Sequence, residues 1–264
     1  MRGSARRRNI DERVRRHGEV SVLELAELYQ VSEMTIRRDL EALEAEGLLR
    51  RVRGGAISAI SRSYEPPVSR RLEENFDAKS LIAKRAIELL TNGETAIIDV
   101  GTTTLEFAKA LNASRGNTIV TPSLVVASEL AKNPNMKVIV TGGIVRHGEM
   151  SLIGPIAEDL FKEINADVMF LGIGGLDITR GLTEYSLEDT RVKQLAIQAS
   201  RRVVVLADAS KLGNVALSRV ASLDIIDTLV TDAKPDNPEV LALIDLGATV
   251  LFADEDTNNQ SMEA

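Results

Sequence analysis

Asp99 is followed, after Val100 and Gly101, by three threonines in a row, Thr102, Thr103 and Thr104, and Asp208 is followed three residues later by Lys211. These residue types suit one kind of chemistry. A carboxylate holds sugar hydroxyls, and a lysine holds a phosphate or a carbonyl oxygen. A glycine leading into hydroxyl residues at a helix start makes an anion cradle from backbone N–H groups. Two further polar clusters also follow β-branched runs: Gly142-Gly143 follow "VIVT", and "GIGGLD" spans Gly172 to Asp177 with Gly174 inside it; the single Thr121 ends the run "NTIVT". "GLT", Gly181 to Thr183, comes shortly after. Singly these are helix caps, loop glycines and surface charges. Four clusters after successive strands make a pocket, because ligands of an open α/β sheet sit outside the carboxyl ends of its strands. The same groups could also serve proton abstraction, with Asp99, Asp177 or Asp208 as base and Lys211 as the cation for a developing enediolate.

The elements that must position these residues alternate along the chain. "DAKSLIAKRAIELLTNG" reads as an amphipathic helix ending at Gly93, and "TAIIDV", "NTIVT", "KVIVTGG", "ADVMFLGIGG", "RVVVLAD" and "TLVTD" read as short strands. Helical segments such as "SLVVASELAKN", "GPIAEDLFKEI" and "LEDTRVKQLAIQAS" separate most of them. This rhythm predicts an α/β domain around a mainly parallel sheet over residues 77–254. Residues 58–76, polar and broken by Pro66-Pro67, read as an interdomain linker, and the acidic stretch 255–264 reads as a flexible tail.

A second, smaller domain occupies residues 1–57. Ile10 and Val14 mark a first helix stopped by Gly18. Ser21 with Glu24 forms a capping box for a second helix bearing Val22, Leu25, Ala26 and Tyr29. Ser32 then caps a third helix from Glu33 to Glu46, with Gly47 as its C′ glycine and Ile36, Leu40 and Leu43 on the core side. Met34, Thr35, Arg37, Arg38 and Glu41 are left facing outward. Two strands, "LLRRV" and "RGGAIS", follow around a glycine turn and carry Arg50, Arg51 and Arg53. The order is that of a winged helix-turn-helix, whose second helix enters a major groove by its N-terminal half.

Charge agrees with that reading. Residues 1–62 carry 13 Arg and 10 Asp or Glu, a net of +3, whereas the whole chain of 264 residues carries −7. A basic head on an acidic body fits a polyanionic partner, here double-stranded DNA. The chain has no cysteine and only two histidines, His17 and His147, which exclude a disulfide framework and a thiolate or histidine metal cluster; no cofactor is expected. The apolar runs are too short to cross a bilayer, and no apolar leader follows the basic N-terminus, so a cytoplasmic protein is expected.

The run "VSEMTIRRDLEALEAEGLLRRVRGGA" closely resembles the N-terminal signature of the DeoR family of bacterial transcription regulators. The resemblance implies that Thr35, Arg37 and Arg38 contact operator DNA and that the wing touches the flanking backbone. Ser32, Arg51 and Arg53 complete the DNA-binding candidates, and Asp39 orients a neighbouring arginine. The segments "DVGTTT", "TGG", "GIGGLDITRGLT", "RVK" and "DASK" extend the likeness from Asn9 to Phe252. They resemble the family's sensor domain, which is related to ribose-5-phosphate isomerase and binds sugar phosphates. On that resemblance Asp99, Thr102, Thr103, Thr104, Asp208 and Lys211 are effector contacts, and Lys193 is a further one. Gly101, Thr121, Gly142, Gly143, Gly174, Asp177 and Thr183 line the same loops.

This chain departs from the family pattern at Arg53, where His is common, at Pro122 in place of Asn, at Asp189 in place of Glu, and at Glu184 in place of a small or neutral residue. The implied function is a repressor of a carbohydrate or polyol catabolic operon, not an enzyme, whose operator affinity responds to a sugar phosphate. It would act as a dimer or tetramer. The alternative is a sugar-phosphate isomerase with an accessory DNA-binding domain. The isomerase's acid-rich loop followed by lysine is not reproduced around "GLDITRGLT", where Arg180 is the only cation.

Overall fold

The computed structural model describes residues 3–45, 48–58, 62–111 and 116–254, in two compact units, Met1–Glu65 and Pro66–Ala264. Gly47 and the stretch 255–264 lie outside the described residues.

The first unit runs α1 (Gly3–His17), β1 (Glu19–Ser21), α2 (Val22–Tyr29), α3 (Glu33–Ala45), β2 (Leu49–Val52) and β3 (Gly55–Ser58). Ile10 and Val14 of α1, Leu25 of α2, Ile36, Leu40 and Leu43 of α3, and Leu49 and Ala56 of the wing form its core. Ser21 caps α2 by accepting from the N–H groups of Leu23 and Glu24 at 3.2 and 3.4 Å. Ser32 accepts from Thr35 N–H at 3.2 Å and starts α3. Strand order is β1-β3-β2, all antiparallel. β1 was not expected from sequence. With three residues and one buried side chain, Val20, it has no alternation to read.

The second unit is built on a seven-stranded sheet of β4 (Thr95–Ile98), β5 (Thr118–Thr121), β6 (Lys137–Val140), β9 (Val168–Gly172), β12 (Val203–Leu206), β14 (Thr228–Thr231) and β15 (Thr249–Phe252). Its order is β15-β14-β12-β9-β4-β5-β6, and every pairing is parallel. Two small antiparallel sheets flank it: β7 (Ile144–Arg146) with β8 (Ser151–Ile153), and β10 (Gly175–Asp177) with β11 (Gly181–Glu184) and β13 (Ser218–Ala221). The helices are α4 (Val68–Glu73), α5 (Phe76–Ala86), α6 (Thr102–Ala110), α7 (Leu124–Leu130), α8 (Pro155–Glu163), α9 (Leu187–Gln198) and α10 (Pro238–Asp245). The stretch read as linker, 58–76, therefore holds α4 and the first residue of α5, and residues 66–76 belong to the second unit.

Alternation along the strands builds two cores, one on each face. Ala96, Ile98, Val168, Phe170 and Val204 pack with α5, α6 and α7, whereas Ile97, Met169, Leu171 and Val205 pack with α8, α9 and α10. Phe107 of α6 and Phe170 of β9 meet with ring centroids 4.1 Å apart. Burying each ring contributes about 1.5–3 kcal/mol.

Chain order decides where a ligand can sit. From β4 the chain moves outward through β5 to β6, then returns to β9 on the other side of β4 and moves outward through β12, β14 and β15. The direction reverses between β4 and β9, which makes their carboxyl ends the topological switch point of the sheet. Among the described residues no helix is long and apolar enough to cross a membrane.

Candidate functional site

In the first unit the outward face of α3 carries Met34, Arg37, Arg38 and Glu41 exposed and Thr35 half-buried. The hydroxyls of Ser32 and Thr35 lie 2.9 Å apart at the N-terminus of α3, where backbone N–H groups favour an anion. Arg37 donates to Glu33 at 3.3 Å, one helical turn back, in an exposed pair worth little. Arg38 is exposed and forms no ion pair among the described residues, so its fork is available to a base edge or a phosphate. Arg53 stands exposed in the turn between β2 and β3. Asp39 is buried and holds Arg6 of α1 at 2.6 Å, with Arg7 at 3.8 Å. The arginines it orients are thus on α1 and not on α3, and the pair fastens the two helices together. Arg51, expected at DNA, is bound to Glu44 and Glu41 of α3.

In the second unit, Asp99 follows β4 and Gly172 ends β9, on the two sides of the switch point. Gly101 has φ +132°, a backbone state open to glycine, and caps α6. The chain turns there so that Thr102, Thr103 and Thr104 form the first turn of the helix. Thr104 Oγ1 donates back to Gly101 O at 3.0 Å. Lys193 of α9 is buried behind this turn, its side chain 1% exposed. Its ammonium donates to Asp99 and, at 2.8 Å, to Gly172 O, and lies 3.3 Å from Glu184. Gly172 N–H donates to Asp99 Oδ2 at 3.1 Å. Burial pushes the Asp99 carboxyl up to about 6 against the pull of the lysine. For Lys193 burial acts downward, but Asp99 and Glu184 outweigh it and hold the ammonium above the usual lysine range. Glu184, one of the four residues that depart from the family pattern, thus meets Lys193. Asp189 pairs at 2.6 Å with Arg146 of β7.

The third part follows β12. Asp208 is buried, and its Oδ1 accepts from Ser210 N–H at 3.1 Å, Ser210 Oγ at 2.5 Å and Asn75 Nδ2 at 3.0 Å. Burial works to raise this carboxyl, and Lys211, the Ser210 donors and Lys79 together hold it below the usual range. Lys211 is half-buried. Burial lowers it, but Tyr185 and Asp208 raise it further, so it is a stable cation. Among the described residues its ammonium makes neither an ion pair nor a hydrogen bond. Its neighbours in charge are all engaged. Arg71 pairs with Glu149 and donates to Pro66 O at 2.9 Å, and Lys79 donates to the carbonyls of Arg71 and Glu74.

The structure brings Asp99, Gly101, Thr102, Thr103, Thr104, Gly174, Lys193, Asp208 and Lys211 to the carboxyl ends of β4, β9 and β12. Other expected contacts are committed to the fold. Thr183 Oγ1 donates to Gly175 O at 3.2 Å and accepts from Ala216 N–H at 2.9 Å. Thr121 Oγ1 accepts from Ser123 N–H at 3.1 Å. Asp177 sits at the far end of the β10–β11 hairpin and caps its turn through Thr179 and Arg180 N–H groups at 2.9 and 2.7 Å. Gly142 and Gly143 pack beside Ile156 and Ala157 of α8. Pro122, whose ring removes an N–H, uses its carbonyl to accept from Leu152 N–H at 2.7 Å. Sequence reasoning did not single out Asn75, Arg71 or Tyr185. The signal for Asn75 is its position at a helix start, where it takes the left-handed backbone, φ 54°, that asparagine tolerates.

The family model of the DeoR-like helix-turn-helix domain matches residues 6–62, and that of the DeoR C terminal sensor domain matches residues 74–233. The chain belongs to the DeoR family. Its relatives include the HTH-type transcriptional regulator GolR of Listeria innocua, 34% identical over 238 residues, 90% of this chain and 94% of that protein. The glycerol-3-phosphate regulon repressor of Escherichia coli is 35% identical over 235 residues, 89% of this chain and 93% of its own length. The transcriptional repressor AccR of Agrobacterium fabrum is 33% identical over 229 residues, 86% and 89% of the two chains. Among solved structures, ribose 5-phosphate isomerase A of Methanocaldococcus jannaschii aligns with 53% of this chain and 55% of its own at 20% identity and a TM-score of 0.39. That is a distant likeness of fold alone. This DeoR-family protein is a DNA-binding transcription regulator with a sensor domain.

Proposed function

We propose that this regulator represses a carbohydrate or polyol catabolic operon and that a sugar phosphate bound at the carboxyl ends of β4, β9 and β12 changes its operator affinity. The observation that carries the reading is Lys211. A half-buried ammonium without a hydrogen bond or ion pair among the described residues, close in charge to a buried carboxylate, Asp208, is a receptor for a phosphate with hydroxyls beside it. The first turn of α6, with Gly101 and three threonines after a strand at the switch point, supports the same reading. So does the name of the Escherichia coli relative, a repressor of a glycerol-3-phosphate regulon. Asp99 and Lys193, buried against each other, shape the wall of that site and do not face its ligand.

A helix-turn-helix protein reads a palindrome as a dimer, so the working form is at least a dimer. The effector must favour one of the free and operator-bound states, and a hundredfold difference in affinity, about 2.7 kcal/mol, makes a useful switch. The experiment is binding to the promoter fragment beside the protein's own gene, at fixed salt, with and without a panel of sugar and polyol phosphates. One compound should alter the shift for the wild type, and Lys211→Ala should bind the fragment but ignore that compound. A Lys211→Ala protein that responds normally would refute the site.

A further inference from the structure

Arg51 lies on β2 with its side chain on the same side as buried Leu49, whereas Arg50 and Val52 alternate to the other side. Its contacts are unusual for a surface arginine. The Arg51 backbone N–H donates to Glu44 Oε1 and its Nε to Glu44 Oε2, both at 2.8 Å, so one carboxylate is gripped by main chain and side chain together. Nη1 donates to Glu41 Oε1 at 2.5 Å. Glu41 and Glu44 stand three residues apart on α3 and so share one face of that helix. A single guanidinium from the wing thereby spans two carboxylates of the helix that enters the groove.

We propose that Arg51 is a positioning residue, which fixes the wing against α3 and screens Glu41 and Glu44 from the DNA, and that it does not itself bind phosphate. Arg53, in the turn between β2 and β3 and unpaired among the described residues, is the wing's phosphate contact. Without Arg51 two carboxylates on the DNA-reading helix stand unscreened before a polyanion. The loss of affinity then comes from them and from a wing that has lost its register, not from a missing contact.

The test is binding of the full-length chain to the promoter fragment and to an unrelated duplex over a range of salt. Arg53→Ala, which removes a phosphate contact, should flatten the plot of log affinity against log salt by about 0.9. Arg51→Ala should weaken binding several-fold, with the melting temperature showing a folded protein, and any flattening of its slope should vanish once Glu41 and Glu44 are removed, because it reflects salt-screened repulsion by those carboxylates. Arg51→Lys keeps the charge but cannot reproduce the fork, and should lose nearly as much as Arg51→Ala. In a Glu41→Ala/Glu44→Ala background, adding Arg51→Ala should change affinity by less than about twofold, because the residue acts through those two partners. A slope still flattened by Arg51→Ala in the Glu41→Ala/Glu44→Ala background, wild-type affinity for Arg51→Lys, or an undiminished loss in that background would each overturn the proposal.

Discussion

Replacing Lys193 with Met tests the charge network at the switch point. The substitution keeps an unbranched side chain only one atom shorter and removes its charge from a position 1% exposed, leaving the Asp99 and Glu184 carboxylates, 2% and 9% exposed, without their cation. Breaking a buried pair by removing one partner costs about 3–5 kcal/mol, far more than the pair itself contributes. In a domain of this size that lowers the melting temperature by roughly 10 °C. The cost must also depend on pH, with a sign fixed by Asp99. Its carboxyl already stands at about 6 in the folded protein, above its ordinary 3.8, and losing the lysine raises it further. A carboxyl raised by folding binds its proton more tightly in the native state, so its contribution is fully present at low pH and is lost as pH rises through the folded value. Thermal unfolding of wild type and Lys193→Met at pH 8 and pH 4.5 should therefore show a large gap at pH 8 that shrinks by at least half in acid. A gap below about 1 kcal/mol at pH 8, or one that does not close on acidification, would refute the view that the lysine neutralises these carboxylates.

Two further substitutions bear on the two sites. Arg38→Ala should cost about 1–3 kcal/mol at the operator and much less on unrelated duplex, measured by competition at fixed salt, if its fork reads a base. An equal loss on both would place it on the phosphates. Gly172→Ala should destabilise the sensor unit by about 1–3 kcal/mol in denaturant unfolding, because a Cβ there would lie 2.7 Å from Val100 O. It should also weaken the response to effector, since the Gly172 N–H and carbonyl hold Asp99 and Lys193.

Much of this was legible in the sequence, for physical reasons that differ between the units. The helix-turn-helix was readable because its signals are local. Ser21 and Ser32 cap helices within three residues of themselves, and Ile36, Leu40 and Leu43 share a face at helical spacing. Six strands of the large sheet were readable as β-branched runs, while β15, Thr249–Phe252, was not singled out. Roles set by tertiary pairing were not readable. The hydrogen bonds of Thr183 with Gly175 and Ala216, and the turn that Asp177 caps, have no signature in the sequence around either residue. Arg51 and Arg53 are two residues apart on one basic wing, yet only the structure shows that one is bound by glutamates and the other is free among the described residues. The switch point is likewise a property of strand order, and no window of sequence reports that β9 returns to lie beside β4.

The pairing of Arg71 with Glu149, Arg146 with Asp189 and Lys193 with Asp99 and Glu184 has a consequence for what the sensor can admit. A carboxylate anchored in the same fold faces its cation at an effective concentration in the millimolar range or above. Each of those arginines and that lysine therefore comes with a tethered competitor, which a free metabolite must outbid at the far lower concentration of a cell. Lys211 forms no direct ion pair among the described residues, and Asp208 acts on it only through its charge. On the proposed sugar-phosphate reading, a single uncontested ammonium among the described residues favours a monophosphate, and a metabolite carrying two phosphates would have to displace an internal carboxylate to seat the second.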